Sequence, residues 1–233
     1  MLKKIIVTGG NSRFGHELKN FKSRYKFIYR NKKQLNILSL GSIYKNFREF
    51  KPDAVLHLAG LSRPMSIHES DIDQSIDLNI VGTCNLVKAC NKKKIKIIFF
   101  STSYVYPGRK GNYKEDDPVL PWNNYGWSKL GAESAVQMYK NSLIIRACMT
   151  EKPFIHKEAF SNVKCNFIYQ DEFIKIFLKM IKHKGIINIG GKSQTIYQFA
   201  KKYKKDVKKK KSKGQLPLNI YMNLNKMNKL QKI

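Results

Sequence analysis

Five apolar, β-rich runs alternate with stretches of helical period over the first 150 residues, and that alternation leaves few architectures open. The runs are Lys3 to Thr8, Lys26 to Arg30, Asp53 to Leu58, Ile95 to Ser101 and Ser142 to Ala147. Between them the spacing predicts helices from Phe14 to about Arg24, Ser42 to Phe50, Asp71 to Cys90 and Tyr125 to Lys140. Runs such as Ile97-Ile98-Phe99-Phe100 lack polar alternation, as strands covered on both faces should. Right-handed crossovers then give a parallel sheet with helices on both sides, an α/β fold of the doubly wound kind. After Thr150 the rhythm weakens. Phe154 to Ile168 has no clear period, Asp171 to His183 reads as an amphipathic helix, Gly185 to Gly191 as a short strand ending in a glycine turn, and a further helix is expected near Thr195. This part reads as a small second lobe over the carboxyl edge of the sheet, which divides the chain into residues 1–150 and 151–233.

Composition narrows the functional classes. The chain has 233 residues, 42% of them hydrophobic and 12% aromatic, enough for one ordinary core with a small lobe. No apolar run approaches the ~20 residues of a membrane-spanning helix. Thr8-Gly9-Gly10 cuts the opening apolar stretch short of a signal peptide, so a cytoplasmic location is expected. Cys84, Cys90, Cys148 and Cys165 have neither C-x-x-C spacing nor a nearby His pair, which argues against zinc and against a disulfide framework. They read as reduced, mostly buried thiols, and no metal site is expected. The formal charge of +29 invites a nucleic-acid reading, but the lysines are scattered. The exception is Lys201 to Lys213, with nine lysines against Asp206, read as a solvated and partly disordered stretch in preference to a phosphate-attracting patch.

In a parallel sheet all strands point their carboxyl ends to one edge, where ligands bind. There the first run gives Gly9-Gly10-Asn11-Ser12-Arg13-Phe14-Gly15, a turn whose backbone N–H groups and following helix can hold a pyrophosphate. The second ends in Tyr29-Arg30-Asn31, with no acidic residue for a ribose 2′-hydroxyl. Arg30 is available for a 2′-phosphate, which favours NADP(H) and leaves NAD(H) open. The third ends in His57-Leu58-Ala59-Gly60, where small residues admit a cofactor and His57 reads as a packed core histidine. The fourth ends in Ser101-Thr102-Ser103, hydroxyls able to donate to a carbonyl or alkoxide, and the fifth in Arg146-Ala147-Cys148.

Tyr125 and Lys129 follow the fourth run four residues apart, on one face of a helix. A phenol titrates near pH ~10, and a cation that lowers this by about 3 units stabilises the phenolate by roughly 4 kcal/mol. Tyr125 would then serve as an acid or base near neutrality.

These segments together resemble the extended short-chain dehydrogenase/reductase family, which acts largely on nucleotide sugars. The resemblance rests on Thr8 to Gly15 for the T-G-x-x-G-x-x-G turn, His57-Leu58-Ala59 for H-L-A, and Asn79-Ile80-Val81-Gly82-Thr83-Cys84-Asn85-Leu86 for N-x-x-G-T-x-N-L. Ser101 to Tyr106 and Tyr125 to Glu133 follow in the same order. It implies a Rossmann-type domain over 1–150 that binds NAD(P), with a substrate-binding lobe over 151–233 that carries the basic tail. It assigns Tyr125 as acid/base, Lys129 as the residue lowering its pKa and holding the nicotinamide ribose, Thr102 as the hydroxyl polarising the carbonyl, and Asn79 either to the active-site network or to a helix kink. Gly9, Ser12, Arg13, Phe14, Gly15, Arg30, Asn36, Ile37, Leu58, Ala59 and Gly60 would line the cofactor, and Ser103 and Tyr104 the substrate. Ser12 replaces the middle glycine of the turn, where it either bonds the pyrophosphate or crowds it. Ala147 stands where proline usually follows the arginine.

Within the family, Ser101 to Tyr106 and Arg30 to Ile37 resemble dTDP-4-dehydrorhamnose reductases, with Asn36 where Asp is usual. The expectation is reduction of a 4-keto nucleotide sugar. An NAD-dependent epimerase would use the same residues, and a cofactor-sensing regulator would use the same fold. Tyr104 sits where a dehydratase would want an acidic pair. No specific nucleic acid and no membrane are expected as partners, and a homodimer stays open.

Overall fold

A computed structural model describes residues 2–232. In chain order the elements are β1 (Lys4–Thr8), α1 (Arg13–Lys19), β2 (Lys26–Arg30), α2 (Leu40–Phe50), β3 (Ala54–His57), two single turns α3 (Ile67–Ser70) and α4 (Ile72–Ser75), a π-helical stretch Ile76–Val81, α5 (Gly82–Lys93), β4 (Lys96–Thr102), α6 (Asn124–Gln137) and β5 (Ser142–Ala147). The remainder is β6 (Met149–Thr150), β7 (Glu158–Phe160), β8 (Lys164–Cys165), β9 (Ile168–Tyr169), α7 (Gln170–Met180), β10 (Gly185–Ile189), β11 (Gln194–Thr195), α8 (Ile196–Lys201), β12 (Lys208–Lys210) and α9 (Asn225–Gln231).

Six strands form the central parallel sheet in the order β10-β5-β4-β3-β1-β2. The five expected runs are all in it. The sixth strand, β10, is the run that the sequence reads as a short strand of the second lobe; it joins the sheet next to β5, and its Ile187 and Ile189 are fully buried. Alternate residues serve the two faces. Ile6, Val55, Ile97, Phe99 and Ile144 join Ile43 and Phe47 of α2, Leu86 and Ala89 of α5 and Ala132 and Val136 of α6 in one apolar cluster. On the opposite face Phe100 meets Phe14 of α1 edge-on, ring centroids 4.9 Å apart.

Local chemistry sets the helix ends. Ser12, Ser39 and Asn123 each accept a backbone N–H three residues on and so cap α1, α2 and α6. The helix expected to reach Arg24 stops at Lys19, because the Asn20 N–H turns back to Glu17 and Leu18. The helix expected unbroken from Asp71 to Cys90 is interrupted by six π-helical residues, a local widening common at functional sites. Thr195 and Gln198 form a reciprocal capping box at the start of α8.

The chain divides into two compact units, Met1–Ser101, Asn123–Ile145 and Ile181–Ile186 in the first, and Thr102–Trp122, Arg146–Met180 and Ile187–Ile233 in the second. The expected cut at 150 groups 102–122 with the sheet, whereas their packing joins them to the later residues. The second unit contains three two-stranded ladders, β6 with β9, β7 with β12 and β8 with β11, and a buried polar cluster. There Asn188 accepts from the Tyr106 hydroxyl and donates to the Tyr113 carbonyl, and Arg146 donates to Tyr106 Oη at 2.7 Å. Lys201 to Lys213 is ordered through β12, which pairs in parallel with β7, contrary to the expectation of partial disorder. No helix among the described residues is long and apolar enough to cross a membrane. The four cysteines are free, three of them buried.

Candidate functional site

In this strand order the chain leaves β1 for β2 on one side and continues through β3 on the other, which makes the carboxyl ends of β1 and β3 the switch point where such sheets hold ligands. The two ends meet there. Gly9 adopts φ +63°, and a Cβ on it would lie 2.7 Å from the Ala59 nitrogen, so only glycine allows this approach. Ser12 caps α1 by accepting from Gly15 N–H at 3.1 Å, which gives the departure from the glycine pattern a structural role and leaves the Ser12 hydroxyl proton free to donate. Arg13 is exposed and Gly15 is buried in the same turn. The Phe14 side chain is committed to the core against Phe100.

At the end of β2, Arg30 donates through Nε to Asn46 Oδ1 at 2.9 Å and lies over the Phe50 ring at 4.7 Å. Its two terminal nitrogens have no partner among the described residues, and no carboxylate adjoins them in sequence. Asn36 closes the next loop by accepting from the Leu38 N–H, while Ile37 is buried. Leu58 and Ala59 are half-buried and Gly60 is exposed.

His57 is the packed residue the sequence suggests, and its bonds fix its tautomer. Thr83 donates its one hydroxyl proton to the Asn79 carbonyl at 2.6 Å, so His57 Nε2, 2.9 Å from Thr83 Oγ1, must carry hydrogen and donate. Nδ1 is then an acceptor for Thr8 Oγ1–H at 2.9 Å, and Thr8 Oγ1 accepts in turn from Ala59 N–H. Burial, reinforced by Lys129, pushes the His57 pKa down to about 3. The unfolded chain takes up this proton near pH ~6.5 while the folded one resists it until about pH 3, so stability falls as pH drops through that window. The loss is of the order of a few kcal/mol. Thermal melts from pH 7 to 4 should show a falling midpoint, and His57→Gln should flatten the slope; equal slopes would refute this origin.

The chain of bonds continues. Asn79, in the π-helical stretch and 3% exposed, accepts from Leu61 N–H at 2.6 Å and donates Nδ2 to Leu61 O and to Ser128 Oγ, at 2.9 and 2.8 Å. Ser128 donates to the Tyr125 carbonyl. Gly60, at φ +149°, passes so near Asn79 Oδ1 that a Cβ would lie 2.8 Å from it. Asn79 sits in the irregular turn, as the helix-kink reading has it, and holds the loop after β3 to α6.

On α6 the Lys129 ammonium lies 4.1 Å from the centre of the Phe99 ring. Burial pulls its pKa down to about 7, opposed by Glu133 one turn on. Glu133 is fully buried and accepts from Ser101 Oγ, which fixes α6 to the end of β4. Tyr125 is half-buried, its ring 5.2 Å from that of His68. His68 was missed in the sequence, since a lone histidine outside any spaced motif carries no signal.

In the second unit Thr102 accepts from Tyr104 N–H at 3.3 Å, which leaves its own hydroxyl proton to donate. Ser103 is buried. Tyr104 packs against Trp122 with the rings tilted by 46°, and lines a cavity of about 390 Å³ with Phe154, Phe160, Phe167, Ile196 and Leu216.

The sequence profile of the RmlD substrate binding domain matches residues 3–152, a span that holds Arg30, Asn79, Thr102, Tyr125 and Lys129. The chain belongs to that family. Among its relatives, a dTDP-4-dehydrorhamnose reductase of Aggregatibacter actinomycetemcomitans is 24% identical over 193 residues, 81% of this chain and 60% of that protein. The methionine adenosyltransferase 2 subunit beta of Pongo abelii is 28% identical over 148 residues, 58% of this chain and 42% of that protein. The chain therefore spans about half the length of the curated relatives it matches. In fold it is similar to a crystal structure of dTDP-4-dehydrorhamnose reductase from Bacillus anthracis in complex with NADP, with a TM-score of 0.86 at 20% identity over 98% of this chain and 91% of that one.

Proposed function

We propose that the chain is an NADPH-dependent reductase acting on a 4-keto-6-deoxy sugar nucleotide. The observation that carries the reading is the buried Asn79 to Ser128 bond, which ties the irregular turn to α6 between Tyr125 and Lys129 in a chain of this family.

The residues present suit the cofactor. Arg30 holds itself in place with one nitrogen and keeps a two-pronged donor for a 2′-phosphate, the group that distinguishes NADP from NAD. Gly9, Ser12, Arg13, Gly15, Asn36, Leu58, Ala59 and Gly60 offer backbone and small polar groups along the switch point, and Lys129 a cation for the ribose. When bound, NADP(H) supplies the hydride. The chain supplies the proton: Tyr125 Oη donates it as the carbonyl becomes an alcohol, and Thr102 Oγ1–H is a hydroxyl able to donate to an oxygen on which negative charge builds. Lys129 stabilises the phenolate left behind. With a pKa near 7 it also loses charge just above neutrality, so the rate of reduction should not keep rising with alkalinity. In the second unit, the aromatic wall around Tyr104 suits a flat ring such as a nucleobase. Cytoplasmic location and freedom from specific nucleic-acid or membrane partners go with such a substrate.

Arg30→Ala should weaken NADP binding by about tenfold or more and leave NAD binding nearly unchanged, since a charged hydrogen bond is worth about 1.5–3 kcal/mol. Titration with both cofactors checks this, and equal loss for the two would refute the preference. A second reading, a non-catalytic cofactor-sensing protein on the same fold, is kept beside it because one relative, methionine adenosyltransferase 2 subunit beta, is named as a subunit of a different enzyme. Incubation with NADPH and a panel of 4-keto nucleotide sugars separates the two: substrate-dependent loss of NADPH supports the reductase, and tight NADPH binding with no consumption supports the regulator.

A further inference from the structure

His68 is fully buried, and its Nε2 has no hydrogen-bond partner among the described residues. A buried unpaired polar atom is costly, so its persistence calls for a reason. Its place is set by two clamps. Glu69, the next residue, accepts from the Asn124 backbone N–H and side-chain amide at the start of α6, and Asn124 also donates to the His68 carbonyl. Ser75 of α4 meets His68 Nδ1 at 2.7 Å. Between these clamps the imidazole rests on the Tyr125 ring.

The proton inventory fixes the tautomer. The Ser75 hydroxyl has no other partner among the described residues, so its single proton is satisfied only by donating to Nδ1. The imidazole hydrogen is then on Nε2, a donor without an acceptor among the described residues, on a ring whose centre lies 5.2 Å from that of Tyr125. The charged groups around the ring agree with a neutral imidazole: Lys129 of α6 opposes its protonation, Glu69 on its own turn favours it, and burial, the largest influence, keeps the pKa below the ordinary value.

We propose that His68 is a positioning residue for Tyr125, whose Nε2–H donates to the phenol oxygen when that oxygen carries negative charge. The inference rests on the acid/base reading of Tyr125 and adds a second group, beside Lys129, that favours the phenolate. It also explains why Ser75 is buried at the base of the π-helical stretch: its hydroxyl keeps the proton on the useful nitrogen.

The test is a pH titration of the full chain carrying tyrosine labelled with ¹³C at Cζ, with the Tyr125 signal assigned by its loss in Tyr125→Phe. In His68→Phe the Tyr125 pKa should rise by about 1 to 2 pH units relative to wild type, the equivalent of losing one hydrogen bond to a charged oxygen. His68→Gln, whose side-chain amide can donate from a similar position, should restore at least half of the difference. Ser75→Ala, which frees the imidazole to change tautomer, should raise the value by a smaller amount. A Tyr125 pKa unchanged in both His68→Phe and Ser75→Ala would overturn the proposal, as would equal rises in His68→Phe and His68→Gln. Should His68→Phe not fold, the Ser75→Ala titration alone decides in the same way. The readout needs neither cofactor nor sugar, so a shifted Tyr125 in a protein that consumes no NADPH would refute the reductase and leave the role of His68 standing.

Discussion

Tyr125→Phe is expected to lower kcat for ketone reduction by about 10²- to 10⁴-fold, the usual contribution of a positioned proton donor, while NADPH affinity stays within about twofold of wild type. The split matters more than the size. Only the phenol oxygen is removed, and the helix stays fixed by the Asn123 cap, the Asn79–Ser128 bond and the buried Glu133. A global loss of function through misfolding would lower cofactor binding and melting temperature together. Steady-state kinetics paired with NADPH titration measures both; retention of more than a tenth of wild-type turnover would remove Tyr125 from its role.

Deleting residues 201–233 is expected to abolish the cooperative fold of the second unit. Val207, Ile220, Met222 and Met227 are all buried, and at about 1.5–3 kcal/mol each their removal costs about 6–12 kcal/mol, comparable with the whole stability of a typical domain. Polar consequences add to this. Asn166 Oδ1 loses the Met222 N–H, Tyr113 N–H loses the Tyr221 carbonyl, and β7 loses its partner strand. The truncated chain should be insoluble or melt without a sharp transition, by circular dichroism. A midpoint within about 5 °C of the full chain would show that the lysine-rich segment is the solvated tail its composition suggests.

That contrast shows what the sequence could and could not convey. Strands β1 to β5 were legible because a strand buried on both faces needs an unbroken apolar run, and few other structures do. β10 is as apolar, but its place beside β5 depends on a connection through α7 that no local pattern records. The lysines of β12 look like a solvated tail because all three side chains of that strand are exposed; it is the backbone pairing with β7 that orders them. Asn79 carried its signal in a spaced motif, as did Tyr125 and Lys129. The π-helical turn that surrounds Asn79 did not, since its residues have ordinary helical character. His68 was invisible for another reason: its importance lies in a bond it does not make.

The path of the chain between the two units has a consequence for how the protein is made and inherited. It passes from one to the other after Ser101, Trp122, Ile145, Met180 and Ile186. A ribosome therefore delivers the sheet without its outer strand until Ile189 has emerged, and the segments that complete the second unit come later still. Neither unit can be cut out as a contiguous cassette, moved onto another gene or released intact by a single proteolytic nick. Diversification of the ligand-facing residues must then proceed by point substitution and loop insertion, because exchange of whole modules would sever strands β4, β5 and β10 along their length.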